Sequence, residues 1–209
     1  MTFFDLEALG RTPVVHEPFT FGVAPQAFLE PMLPALIGDF PDIDKPGSFP
    51  VGQVSYGPAF SQLLDEIHGP EFTRVISERL DIDLEGRPIM VTARGMCRAK
   101  DGRIHTDTAS KLVTVLIYMN FDWEQQGGRL RLLRSPNIDD VITEIPPMAG
   151  TLLMFRVSKN SYHGHESFAG RRRVLQINWV TDQQVLDREL GRHGLSARIK
   201  RLLPFAAGY

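Results

Sequence analysis

From residue 88 onward the chain runs as a series of short apolar segments: PIMVTARG, SKLVTVLIYMN, GGRLRLLRS, AGTLLMFRVS and RRVLQINWV. Each is rich in β-branched, aromatic or other apolar residues, and Gly, Pro, Asn and Asp separate them. No convincing amphipathic helix lies between them, as a crossover between parallel strands would require. The pattern predicts an antiparallel sandwich or barrel rather than a βαβ sheet.

The first eighty residues read differently, as turns mixed with short helices. Residues 26–38 carry Phe28, Leu29, Met32, Leu33, Leu36 and Ile37 at roughly helical spacing, and Pro31 and Pro34 should shorten or kink that helix. Residues 39–50 read as loop. Phe60, Leu63, Leu64 and Ile67 mark an amphipathic helix that Gly69 and Pro70 end, and Phe72, Val75 and Ile76 mark the next. After Thr181 the tail turns helical again, with Val185, Leu186 and Leu190 on one face and Leu195, Ile199, Leu202 and Leu203 on another. Mainly β with flanking helices is therefore the expected class. We read residues 1–209 as one domain, with N-terminal helical and loop support over 1–88, a β core over 89–181 and a helical tail over 182–209.

Composition excludes several functions. A chain of 209 residues, 43% hydrophobic and 23% charged, can bury a core without disulfide staples, and it is neither disordered nor a bundle of membrane helices. A formal charge of −2 argues against a nucleic-acid partner, which wants a clearly basic face. Cys97 is alone, so no intrachain disulfide or cysteine-based metal site can form. Asp5 and Glu7 interrupt the N-terminus before a signal-peptide core could form, and no apolar stretch is long enough to cross a bilayer, so a cytoplasmic protein is expected.

The chemistry concentrates between His105 and Trp179. In IHTDT, His105 and Asp107 stand two apart on an extended segment, where alternate side chains share a face. SYHGHE offers His163 and His165, again two apart. One of these imidazoles together with His105 and Asp107 would make the two-histidine, one-carboxylate facial site of non-haem Fe(II) oxygenases. A 2-oxo acid chelating that iron would want a guanidinium and a hydrogen-bond donor for its distal carboxylate, for which Arg172 or Arg173 and Tyr118 are candidates.

In combination, HTDTASKLVTVLIYMNFDW, GGRLRL, AGTLLMF and YHGHESFAGRRRVLQINWV resemble the core of the 2-oxoglutarate and Fe(II)-dependent dioxygenases, specifically the prolyl 4-hydroxylase-like branch. The resemblance spans roughly residues 90 to 181 and implies a double-stranded β-helix, the jelly-roll or cupin-like core. It implies Fe(II) as cofactor, 2-oxoglutarate as cosubstrate and O2 as oxidant, with hydroxylation of an unactivated C–H bond and release of succinate and CO2. His105 and Asp107 match the family's H-x-D ligands, and His163 matches the distal ligand. Tyr118 in YMN matches the tyrosine that contacts the distal carboxylate, with Met119 replacing a leucine. Gly127 and Gly128 match the turn before the next strand. Because the family's cosubstrate arginine stands six residues before a tryptophan on one strand, counting back from Trp179 selects Arg173, with Arg172 as fallback and Arg171 facing solvent. Asp107 itself favours hydroxylation, since halogenating relatives replace that carboxylate with a small residue.

His165 then becomes a residue behind the ligands, one facing substrate, or a surface histidine. His16, His68 and His193 read as structural or exposed, Arg129, Arg131 and Arg134 as the polar face of a strand, and Cys97 as an inert thiol. Two other readings compete: a residue hydroxylase acting on a partner protein, and a cupin-like metal-binding domain without turnover. Tyr118 and Arg173 argue against the latter, because a bare metal site needs no dicarboxylate anchor. The expected partner is a small-molecule or peptide substrate, and nothing in the sequence indicates an oligomeric state.

Overall fold

The computed structural model describes residues 2–191. Its centre is a pair of antiparallel sheets. The longer β-segments form β4 (Ile89–Cys97), β5 (Lys111–Tyr118), β6 (Leu130–Leu133), β8 (Leu152–Arg156) and β10 (Gly170–Val180). Between them lie β7 (Val141–Ile145) and β9 (Tyr162–His165). The N-terminal region supplies α1 (Leu6–Gly10), α2 (Leu33–Asp39), α3 (Pro58–His68) and α4 (Pro70–Leu80), together with β1 (Val14–Val15), β2 (Phe21–Ala24) and β3 (Phe49–Pro50). Seven strands pair in the order β1-β2-β8-β5-β10-β4-β3, and three in the order β7-β6-β9. This is the expected jelly-roll arrangement of mainly antiparallel β structure with flanking helices.

The N-terminal region also contributes strands to the large sheet. β2 pairs with β8 from Phe21 against Phe155 to Ala24 against Leu152, and β3 caps the edge of β4. Strands of two to four residues complete too few side-chain alternations to stand out from turns. The helices conform more closely. The two prolines of residues 26–38 confine helix to a 3-10 turn, Glu30–Met32, followed by α2, with Pro at the start of each, where a missing N–H costs least. Residues 183–191 are helical; Leu195, Ile199, Leu202, Leu203 and His193 lie outside the described residues.

Because side chains alternate along a strand, the large sheet makes two cores. Val113, Val115 and Ile117 of β5 and Leu175, Ile177 and Trp179 of β10 face the helices, joining Phe60, Leu63 and Ile67 of α3 and Phe72, Val75 and Ile76 of α4. Phe72 stacks on Trp179 with centroids 5.9 Å apart. On the opposite side, Leu116, Tyr118, Leu153, Phe155 and Val174 meet Leu130, Leu132 and Ile145 of the small sheet. That inner core fills only part of the space between the sheets. What remains is a cavity of about 250 Å³ lined by polar and apolar side chains. Among the described residues, no helix is long and apolar enough to cross a membrane.

Candidate active site

Two loop-to-strand junctions bring the predicted ligands together. The segment between β4 and β5 crosses to the small sheet, where His105 and His163 exchange both backbone hydrogen bonds at 3.0 Å. Their rings lie 4.3 Å apart, centroid to centroid. Two residues further on, Asp107 turns in alongside, and ligand atoms of His105, Asp107 and His163 all fall within 4.8 Å of one another. Such a donor set fits a divalent ion of the Fe(II) type.

Hydrogen bonding prepares each donor. His105 Nδ1 donates to the carbonyl of Arg103 at 2.8 Å, and His163 Nδ1 to that of Ser161 at 3.0 Å. A carbonyl can only accept, so both rings carry their proton on Nδ1 and present Nε2 as a lone pair. Burial, then the neighbouring His105, pushes His163 down to about 4, so it stays neutral at physiological pH. For Asp107, burial acts to raise the pKa. Lys111, then His163, then the Thr114 hydroxyl outweigh it, and the carboxyl stays ionised below its ordinary range. Lys111 Nζ donates to Asp107 Oδ1 at 2.9 Å, and Thr114 Oγ1 to Oδ2 at 2.6 Å. Behind Thr114, Asn178 Nδ2 donates to its hydroxyl at 2.7 Å, and Gln176 Nε2 donates to Asn178 Oδ1 at 3.1 Å.

The structure sets the two candidate arginines on opposite faces of the sheet. Arg172 enters the cavity, whereas Arg173 lies on the helix side of the sheet, donating to the Ile37 carbonyl at 3.3 Å with its guanidinium 5.7 Å from the centre of the Phe40 ring. Arg173 does share a face with Leu175, Ile177 and Trp179, as the alternation requires, but that face packs on helices. Arg172, Val174 and Gln176 look inward. Between Arg171 and Val174 the β10 register against β4 slips, as at a β-bulge, and Arg171 is exposed as expected.

Arg172 is only 8% exposed. Its Nε donates to the Gly128 carbonyl at 2.8 Å, its guanidinium carbon lies 5.3 Å from the Tyr118 ring centre, and its Nη2 has no hydrogen-bond partner among the described residues. Nor has the fully buried Tyr118 hydroxyl. Burial outweighs Arg172's charge and raises the Tyr118 pKa, keeping the phenol a donor. Two adjacent unanswered donors in a buried place are what a carboxylate would satisfy.

His165 lies in the same cavity but outside the ligand cluster, and it is not a surface histidine. Its ring sits over Gly102, whose added Cβ would come within 2.3 Å of it and whose φ of +83° suits glycine. Burial, then Arg172, lowers its pKa to about 4. Cys97 is half-buried with Sγ 3.8 Å from His165 Nε2, and burial raises its thiol pKa. Arg129 and Arg131 pair with Glu144 and Arg134 with Asp140, so these arginines form a solvated strand face. His16 and His68 are exposed. Four polar cavity residues escaped the sequence reading, Arg94 of β4, Lys111, Thr114 and Gln176; the position of Arg94 in TARG resembles any polar strand position.

Comparison with known proteins agrees with this geometry. Residues 95–181 match the family model described as the 2OG-Fe(II) oxygenase superfamily. Comparison with curated proteins finds no match. Among solved structures the chain is similar to a Pseudomonas putida prolyl-4-hydroxylase, at TM-score 0.56 and 16% identity over 84% of this chain and 97% of that one. It is similar to a prolyl 4-hydroxylase from Phytophthora capsici at TM-score 0.55 and 18% identity, over 87% and 68% of the chains. A truncated viral collagen prolyl hydroxylase from Paramecium Bursaria Chlorella virus-1 aligns at TM-score 0.52 and 16% identity, over 81% and 96%. At these identities the likeness to solved structures is one of fold.

Proposed function

We propose that this chain, whose residues 95–181 match the model of the 2OG-Fe(II) oxygenase superfamily, is a hydroxylase whose Fe(II) would be held by His105, Asp107 and His163 and whose 2-oxoglutarate would be anchored by Arg172 and Tyr118. The observation that carries the site assignment is a three-donor cluster facing, across one cavity, the unanswered Nη2 of Arg172, with the unanswered Tyr118 hydroxyl buried beside that guanidinium. When bound, the iron would supply O2 activation driven by oxidative decarboxylation of the 2-oxo acid, yielding succinate and CO2.

The chain's own residues do the rest. His105 and His163 present their Nε2 atoms, each ring fixed by a carbonyl at Nδ1 on its other side. Asp107 contributes the single negative charge, held in place from Oδ1 by Lys111 and from Oδ2 by Thr114. Arg172 and Tyr118 set the orientation of the cosubstrate's far end, the guanidinium fork by ion pairing and the phenol by donating a hydrogen bond. Leu116, Leu130 and Val174 line the same cavity and limit its water. The substrate belongs to the small-molecule or peptide class, and a cytoplasmic location fits a lone, half-buried thiol.

The test is turnover of 2-oxoglutarate in air with Fe(II), followed as succinate against a panel of small molecules and peptides. Asp107→Ala should abolish it together with metal retention. Succinate formation undiminished in that variant would contradict the assignment.

A further inference from the structure

Resting on the assignment of Arg172 and Tyr118 to the cosubstrate, we propose that Arg94 is a second oxyanion anchor, directed at the substrate, so that the compound oxidised carries a carboxylate or phosphate group. Arg94 stands in β4 opposite Val174, which in turn stands opposite Tyr118 in β5. It is therefore two strands across from the cosubstrate's tyrosine, about 10 Å by strand spacing, and lines the same cavity. The two cavity arginines differ in setting. Arg172 and Tyr118 are buried, as befits an anchor that one cosubstrate covers every cycle, whereas Arg94 is open to the cavity.

Charge counting leaves Arg94 unanswered. Lys111 and Asp107 form one ion pair at 2.9 Å, and a divalent metal and a doubly charged 2-oxo acid would cancel each other. His163 and His165 each spend Nδ1 on a backbone carbonyl, that of Ser161 at 3.0 Å and that of Glu166 at 2.8 Å. What remains in the lining are the guanidinium groups of Arg172 and Arg94, each repelling the other. Of the carboxylates that act on Arg94, Asp101 is already paired with Arg98 at 3.0 Å and Asp107 with Lys111 at 2.9 Å. No hydrogen bond or ion pair engages the Arg94 side chain among the described residues. A planar five-donor fork lining a cavity with surplus positive charge suits an oxyanion bound bidentately.

The test uses the full chain loaded with redox-inert Zn(II) and then 2-oxoglutarate, titrated calorimetrically with benzoate in one arm and phenyl phosphate in the other. Wild type should bind at least one of these anions. Arg94→Gln should weaken that binding roughly ten- to hundredfold while leaving 2-oxoglutarate affinity within twofold, and Arg94→Lys should recover part of the loss. The stronger arm tells carboxylate from phosphate. Failure of wild type to bind either anion, or equal binding by Arg94→Gln, would overturn the proposal. So would a loss of 2-oxoglutarate affinity in Arg94→Gln, which would place Arg94 in the cosubstrate's clamp. A wild-type protein that takes Zn(II) but not 2-oxoglutarate would instead overturn the dioxygenase reading on which the proposal rests.

Discussion

Thr114→Val is the sharpest probe of how the carboxylate ligand is held. The threonine hydroxyl donates to Asp107 Oδ2 at 2.6 Å and accepts from Asn178 Nδ2 at 2.7 Å. Valine keeps the shape but removes both bonds. Loss of a hydrogen bond to an ionised partner costs roughly 1.5–3 kcal/mol. The Asn178 amide, fully buried, would be left with only the Val113 carbonyl at 3.5 Å, which adds about 1 kcal/mol. The protein should therefore lose about 3 kcal/mol of stability in urea denaturation at neutral pH. Asp107, steadied then only through Oδ1, should hold metal less firmly: Zn(II) affinity in a chelator competition should fall about ten- to hundredfold, as for other partners behind metal ligands. Thr114→Ser retains the hydroxyl and should bind metal nearly as wild type does. A folded Thr114→Val variant with Zn(II) affinity within twofold of wild type would refute the reasoning.

Other outcomes follow from the same geometry. Arg172→Met should weaken 2-oxoglutarate binding at least a hundredfold with metal binding intact, whereas Arg173→Met should leave 2-oxoglutarate binding unchanged; calorimetry on the Zn(II)-loaded variants distinguishes the two. The metal-free protein should lose stability on mild acidification. His163 and His165 sit at about 4 in the fold against an ordinary 6.5, so the unfolded chain takes up protons first. Stability is full above pH 6.5 and declines toward pH 4, by about 2 kcal/mol per histidine at pH 5. Urea denaturation at pH 7.5 and 5 reads this directly, and a flat profile would show that the rings are not held neutral.

The cluster of His105, Asp107 and His163 was legible because extended segments put residues two apart on one face, and histidines are few enough for HTD and HGH to stand out. Which arginine enters the cavity was not. Both faces of β10 are buried, Leu175, Ile177 and Trp179 against helices and Arg172 and Val174 toward the cavity, so hydrophobicity cannot say which face is interior. Parity was readable and the face was not. Arg94 escaped for a related reason: a lone arginine on a strand looks solvated until the opposing sheet is in place. The strands β1, β2 and β3 are too short to show a period, while α3 and α4, each eleven residues long with a clean apolar stripe, emerged nearly to the residue.

The central claim is that one cavity holds iron through His105, Asp107 and His163 and a chelating 2-oxo acid through Arg172. Anaerobic titration of the purified protein with Fe(II) and then 2-oxoglutarate tests it most directly. The account predicts a weak visible metal-to-ligand charge-transfer band that saturates at one equivalent, is absent in Asp107→Ala, and requires far more 2-oxoglutarate in Arg172→Met. A folded wild-type protein that binds Fe(II) and shows no such band would contradict it.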